Sequence, residues 1–551
     1  MKICVAYWWH RDKWREWILL AATIGCSLAF VRVSVAINSW HKAFYDALAS
    51  FDSGSFVDLM LQYLTYLGMI VGCIAAGNWL GKVTVFRWRE SLTKDMQTAW
   101  LDNHRHYRLL LEGEPDNPDQ RIAEDIARLA EDSIYLFKYF IMNLARLVAF
   151  VAVLWELSGV QTFMVANITI VIHGYLVWIA LAYSIVSTAL IHLIGRSLQS
   201  LNINRQHREA DYRATLLRVH DHSEQIAFYR GEPAENGRLN RYFLRIRKNW
   251  FALIAREFKV EVFSSAQMRV AWFLPIAATL PLYLEKAISL GGMMQAQSAF
   301  SNVLEGFGWF LNYYRRIIEW SATVRRVADF RSALDDVAPA SLADGVAKAG
   351  HPRLVLSALE VHSPSGVTLL DGIDLDMTAP AWLLIDGDSG VGKSTLLRVL
   401  AGLWPHYRGH YSVQGTSLFL PQTPYLPNDT LRSVLSYPSD RHAEDKEIAW
   451  ALEVVGMHRL FPSLDQQSDW SRILSGGEQQ RLAIVNALLH KPDVLFLDEM
   501  TNQLDARTAV ELTRLLKWHL PNTLVVGISH QPEIKAEFDK RLSLASSQIS
   551  G

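Results

Sequence analysis

Residues 387–395 read Gly-Asp-Ser-Gly-Val-Gly-Lys-Ser-Thr, a loop whose glycines let backbone N–H groups close around phosphate oxygens. Gly387, Asp388, Ser389, Gly390, Val391, Gly392, Lys393, Ser394 and Thr395 are therefore the first candidate binding residues. The apolar run 382–385 ahead of the loop reads as a buried strand, and 396–400 behind it has helical spacing. A loop so placed points the positive end of a helix dipole at an anion. Lys393 adds a full charge, and the Ser394 hydroxyl suits Mg2+. The chemistry indicated is the binding of a nucleoside triphosphate.

Further along, Gln422 ends the apolar stretch 418–421 and is placed to reach Mg2+ or an attacking water. Residues 474–481, Leu-Ser-Gly-Gly-Glu-Gln-Gln-Arg, form a Gly-containing turn opening a helix. Ser475, Gly476, Gly477 and Glu478 make it a second phosphate-binding N-terminus. The strand-like run 494–497 delivers two carboxylates at its end: Asp498 suits Mg2+, and Glu499 suits general base work on water. His530, after the strand 524–528, is placed to sense a γ-phosphate. Singly, a strand ending in Asp-Glu or a lone histidine is ordinary structure; the order of the set gives it meaning.

These residues need a chain to hold them, and its length of 551 exceeds one core, so two or more domains are expected. Half of the residues are hydrophobic, 20% are charged and 19 are Trp, which points to a membrane-embedded portion. A net charge of −1 gives no reason to expect nucleic acid as a partner. Cys4, Cys26 and Cys73 have no metal-ligand spacing and read as reduced packing residues.

Apolar runs predict six membrane spans, at about 17–37, 59–80, 134–155, 174–194, 266–284 and 293–314, within a membrane domain covering 1–331. The charge-free stretch 160–195 is long for one helix, so an outer loop is expected ahead of the fourth span. Pro275 and Pro281 are expected to bend the fifth. Arginines crowd the segments after spans two and four, Arg87 to Arg121 and Arg196 to Arg218. That pattern places them, the N-terminus (Lys2, Arg11, Lys13, Arg15) and the C-terminal domain in the cytoplasm. Both Arg-rich segments read as helices extending the spans.

In span six, Ser298, Ser301, Glu305, Gly308 and Asn312 share one helical face. A carboxylate in a span needs water or a partner, so Glu305 either lines an aqueous cavity or pairs with a base such as Arg146 or Arg32. Asp116-Asn117-Pro118 reads as the start of a short cytoplasmic helix, with Asn117 as N-cap and Pro118 in the first turn. Residues 332–352, rich in Ala, Asp, Gly and Pro, read as a linker, and a soluble domain occupies 353–551.

Together and in this order, the loop 387–395, Gln422, the 474–479 turn, Asp498-Glu499 and His530 resemble the ABC ATPase domain. Residues 38–48, 117–125 and Asp469-Trp470 extend the resemblance over nearly the whole chain. They are similar to bacterial inner-membrane half-transporters of the YddA type, a BacA/SbmA-like membrane domain fused to an ATPase, related to the peroxisomal fatty-acyl-CoA transporters. The resemblance implies an α-helical six-span, exporter-like domain followed by an α/β nucleotide-binding domain in the bacterial inner membrane. It implies ATP and Mg2+ as cofactors, with Ser394, Gln422 and Asp498 around the metal and Glu499, His530 and Gln422 in catalysis. The 474–479 signature would bind the γ-phosphate held by a second domain, hence a homodimer. It also implies that 117–125 lies in the region coupling the two domains. The expected function is ATP-driven transport of a peptide, a cobalamin-like solute or an acyl-CoA-like amphiphile. The alternative is a membrane-anchored ATPase that senses without moving a solute. Two departures stand out: no aromatic residue for adenine stacking in 360–366, where His362 is the substitute, and Asn502-Gln503-Leu504-Asp505 in place of the usual Ser-Ala-Leu-Asp.

Overall fold

A computed structural model describes residues 8, 13–113, 117–165, 168–337, 346–347, 351–439 and 443–544. Lys2, Cys4, Arg11, Asp116, the Asn312 side chain and most of the 332–352 linker lie outside the described residues. The chain divides into two compact units, one of residues 1–98 and 115–332, the other of residues 99–114 and 333–551.

The first unit is built on long helices: α1 (Trp14–Ala49), α2 (Phe56–Leu101, its end passing into the second unit), α4 (Ile126–Ser158), α5 (Tyr175–Asp221), α7 (Glu232–Leu284) and α8 (Leu290–Asp336). Four helical runs, 14–49, 56–111, 118–158 and 175–221, are long and apolar enough to cross a membrane. Helices α7 and α8 carry more charge, and α7 runs unbroken through Pro275 and Pro281. The Arg-rich segments are helical, as α2 and α5 continue to Leu101 and Asp221. A short helix α6 (Ser223–Tyr229) separates α5 from α7.

Ahead of α5 the expected loop is a two-stranded antiparallel ribbon, β1 (Val160–Val165) with β2 (Ile168–His173). The run is dense in β-branched residues, which favour a pleated backbone over a loop.

The motif 38–48 ties α1 to its neighbours. The Asn38 amide donates to the Gln295 carbonyl at 3.1 Å, and the Asp46 carboxylate accepts from the Gly291 N–H at 2.9 Å. Trp40 bonds the Leu59 carbonyl at 2.8 Å and packs on Phe44 and Tyr63. Gly291 is required there, because a Cβ would overlap the Lys42 carbonyl. Nearer the bundle centre, Phe150, Leu154, Leu176, Phe300 and Val303 form a fully buried apolar core.

After Pro118 one helical turn leads into a π-helical turn, Arg121–Asp125, and then α4. Asn117 holds the N-cap position in a left-handed conformation with φ +55°, but its side chain caps nothing. The wide turn faces Ile122 and Asp125 inward. Asp125, its side chain 2% exposed, accepts from Arg326 Nε and Nη2 at 2.9 and 2.8 Å and from Arg121 Nη1 at 2.8 Å. The element expected in the coupling region is thus pinned to α8. The second unit instead includes the largely helical residues 99–114, where Leu111 of α3 (Arg105–Glu112) packs on that unit's core.

The helix α8 continues to Asp336, into the segment read as linker, because Ser-Ala-Leu-Asp-Asp is helix-compatible and the first proline follows only at 339. In the second unit, β3 (Val346–Ala347), β4 (Arg353–His362), β5 (Thr368–Thr378) and β7 (Tyr407–Gln414) form a four-stranded sheet ordered β3-β7-β4-β5. A parallel sheet has the order β11-β6-β10-β9-β8, with β6 (Ala381–Asp386), β8 (Ser417–Leu420), β9 (Val494–Asp498), β10 (Leu524–Ile528) and β11 (Lys540–Ser543). Its inner strands β6, β9 and β10 are apolar because both faces are covered, whereas the edge strand β11, Lys-Arg-Leu-Ser, is largely exposed. Trp382, Leu495, Leu497 and Val525 enter one core, while Leu383, Ile385, Phe496, Val526 and Ile528 enter the other.

Candidate functional site

Loops at the carboxyl ends of β6, β9 and β10 converge, the usual place for a ligand in a parallel sheet. Beyond β6, Gly390 and Gly392 have φ of +84° and +105°, which a side chain would strain, and Gly392 caps α9 (Lys393–Leu400). Lys393 is buried, its ammonium donating to the Gly387 and Asp388 carbonyls at 2.7 and 2.8 Å. Those bonds preform the loop and must give way when phosphate oxygens compete for the ammonium.

The Ser394 hydroxyl donates to Asp498 Oδ1 at 3.1 Å. Burial pushes the Asp498 carboxyl above the usual range; the Ser394 bond opposes this, and the charge of Glu499 adds to it. Next to it Glu499 has φ +50°, its N–H held by the Ile528 carbonyl at 3.0 Å. Its Oε1 lies 2.9 Å from His530 Nε2, and its Oε2 accepts from Asn502 at 2.6 Å and Gln422 at 3.4 Å. The structure therefore brings the loop 387–395, Gln422, Asp498, Glu499 and His530 into one cluster.

The turn 474–479 stands apart from that cluster. Ser475 caps α12 (Gly476–His490), counting α10 (Leu431–Ser436) and α11 (Asp445–Val454) before it, and forms a reciprocal capping box with Glu478. A pocket of about 620 Å³ opens here, lined by Ser475, Gly476, Gly477, Glu478, Arg459 and Gln503 among others, and by no residue of the 387–395 loop. A Cβ on Gly476 would overlap the Gln503 amide, so this turn and the 502–505 segment are fitted to one another.

Two residues have roles that the sequence by itself does not reveal. Asn502 holds Glu499, and its only sequence signal is the three-residue spacing within a turn. Gln480, fully buried, accepts from the Gln503 N–H at 3.2 Å and donates to the Gln422 carbonyl at 3.5 Å, linking three loops. His362 is not an open stacking face. Its ring is mostly covered, 3.2 Å from the Thr368 hydroxyl and 3.4 Å from Glu360.

In the first unit, Glu305 pairs with Arg146 at 2.6 Å rather than with Arg32, and Asn143 accepts from the same guanidinium at 2.7 Å. Glu305 remains 63% exposed while Arg146 is 15% exposed, so the carboxylate is paired, which is one of the two expectations, and the pair lies at the surface of the unit. Ser298 and Ser301 are half-buried on that helix, and Trp309, Tyr313, Tyr139 and Tyr135 form an aromatic ladder along α4 and α8.

Residues 2–276 match the family described as ABC transporter transmembrane region 2, and residues 370–502 match the ABC transporter family. The chain is 30% identical, over 96% of its length and 94% of the relative's, to the inner membrane ABC transporter ATP-binding protein YddA of Escherichia coli. It is 26% identical to the human lysosomal cobalamin transporter ABCD4, with 78% and 75% of the two chains covered. The structure of a bacterial Atm1-family ABC exporter with ATP bound superposes with a TM-score of 0.73 at 16% identity, covering 97% and 95%. That likeness gives the fold, an exporter-type helical region followed by an ATPase domain. With both family matches on one chain, the protein belongs to the ABC transporter family, a membrane protein that binds ATP and couples its hydrolysis to transport.

Proposed function

We propose that the protein is a homodimeric half-transporter whose two ATP sites are each shared between copies. The observation that carries this reading is the separation of the Glu499 cluster from the 474–479 pocket. Each is half of a nucleotide site, and two copies related by a two-fold axis would close both. Helices α7 and α8 would complete six crossings, with the N-terminus and the ATPase domain cytoplasmic and the bilayer that of the bacterial inner membrane.

In the site, Lys393 and the loop N–H groups hold the β- and γ-phosphates. Ser394, Asp498 and Gln422 suit Mg2+, and the half-buried Asp498 carboxylate fits it, since partial burial and the charge of Glu499 disfavour its ionised form and a cation would offset both. Bound there, Mg2+ would offset charge on the phosphate oxygens. Glu499 accepts the proton of the attacking water. His530 and Asn502 hold its two oxygens apart and oriented, and Gln422 reports the γ-phosphate to the Gln480-linked loops. Solute would pass the α4 and α8 face bearing Arg146–Glu305 and the aromatic ladder, a surface suited to an amphiphile with both charge and apolar bulk.

The test is ATPase activity in liposomes while peptides, corrinoids and acyl-CoA esters are screened. One class raising the rate supports transport and identifies the solute. A rate that no solute changes, with no flux, would favour the sensing alternative.

A further inference from the structure

The 474–479 turn has an electrostatic difficulty. Glu478 is at the third position of α12, where its Oε2 accepts the Ser475 N–H at 2.8 Å and the Ser475 hydroxyl at 2.9 Å. The same carboxylate that starts the helix thus places a negative charge beside a turn meant for phosphate, and occupies the hydroxyl that phosphate would use.

Arg459 meets that charge. It is carried on the short 3-10 turn His458–Ser463, whose Leu460 is buried, and its Nη2 pairs with Glu478 Oε1. Arg481, also in the pocket, has its Nη1 directed to the Val455 carbonyl at 2.9 Å. Among the described ion pairs, Arg459 is therefore the cation on Glu478.

We propose that Arg459 is a positioning residue: by neutralising Glu478 it allows an acidic turn to accept the terminal phosphate of ATP held by a second copy. This rests on the shared-site reading above. Arg459 draws the carboxylate from the Oε1 side while Ser475 competes for Oε2, so its loss leaves a bare charge and a more tightly held serine hydroxyl. Gln at 478 would keep the bond to the Ser475 N–H and remove the charge.

The experiment measures kcat and KM for MgATP, at low and high salt, for the full-length wild type, Arg459→Ala, Glu478→Gln, the double variant and Arg459→Lys. A fluorescent ATP analogue checks that the 387–395 loop still binds. We expect Arg459→Ala to raise KM roughly five- to tenfold at low salt, less at high salt, because the repulsion sits at a half-exposed site. Adding Glu478→Gln restores KM to within about twofold, and Arg459→Lys stays near wild type. No hydrolysis by the wild type would overturn the transport reading and this one with it. Hydrolysis with an unchanged KM in Arg459→Ala, or a double variant as impaired as Arg459→Ala, would overturn this proposal alone.

Discussion

Replacing Asp125 by Ala removes three charge-assisted hydrogen bonds at once and leaves Arg121 and Arg326 without their carboxylate. Breaking a fully buried ion pair costs about 3–5 kcal/mol. Here the carboxylate is buried, but the Arg326 side chain is 38% exposed and can rehydrate, so the figure falls to about 2–3 kcal/mol. Asp125→Asn, which can keep a hydrogen bond to one guanidinium, should lose roughly half of that. In a unit of this size about 2–3 kcal/mol corresponds to a drop of about 4–8 °C in the midpoint of thermal unfolding. The assay is melting of the full chain in detergent, followed by tryptophan fluorescence, with nucleotide-analogue binding as a control on the ATPase unit. The expected result is early melting with nucleotide binding retained. Melting of Asp125→Ala within about 1 °C of wild type would show that the triad contributes no stability and refute the argument.

Gly476→Ala forces the Gln503 amide aside but meets only the end of a flexible side chain. The domain should fold, bind nucleotide, and hydrolyse at least about tenfold more slowly in a phosphate-release assay. Glu305→Gln should cost less than about 1 kcal/mol, since the carboxylate is largely exposed, yet abolish stimulation by solute; unchanged stimulation would remove Glu305 from the path. Burial raises the Asp498 pKa, so ionising it costs stability as pH rises from the unfolded-state pKa through the folded one. The gain in melting temperature from Mg2+ with ATP should therefore grow over that rise, and this pH dependence should vanish in Asp498→Asn.

The ATP site was legible where function is written in local backbone chemistry. Residues 387–395 need glycines at fixed places, and the apolar runs of β6, β9 and β10 announce buried parallel strands. Partnerships across the chain were not legible. Nothing near Glu478 points to Arg459, nothing near Gln422 points to Gln480, and Glu305 offered two bases that only the packing of α4 on α8 distinguishes. The β1–β2 ribbon is hidden in the sequence because a charge-free stretch beside a span reads as apolar before its β-branched content is weighed. Residue type alone places Asn117 at the N-cap, where it sits, but does not show the wide turn that follows it and turns Asp125 inward.

If Glu499 drives ATP hydrolysis at a site completed by a second copy, phosphate release from the full-length protein with wild-type or Glu499→Gln chains reads it out. Glu499→Gln should lower turnover by about 100-fold or more while ATP binding persists and holds two copies of the ATPase domain together. Turnover by Glu499→Gln at the wild-type rate would contradict it.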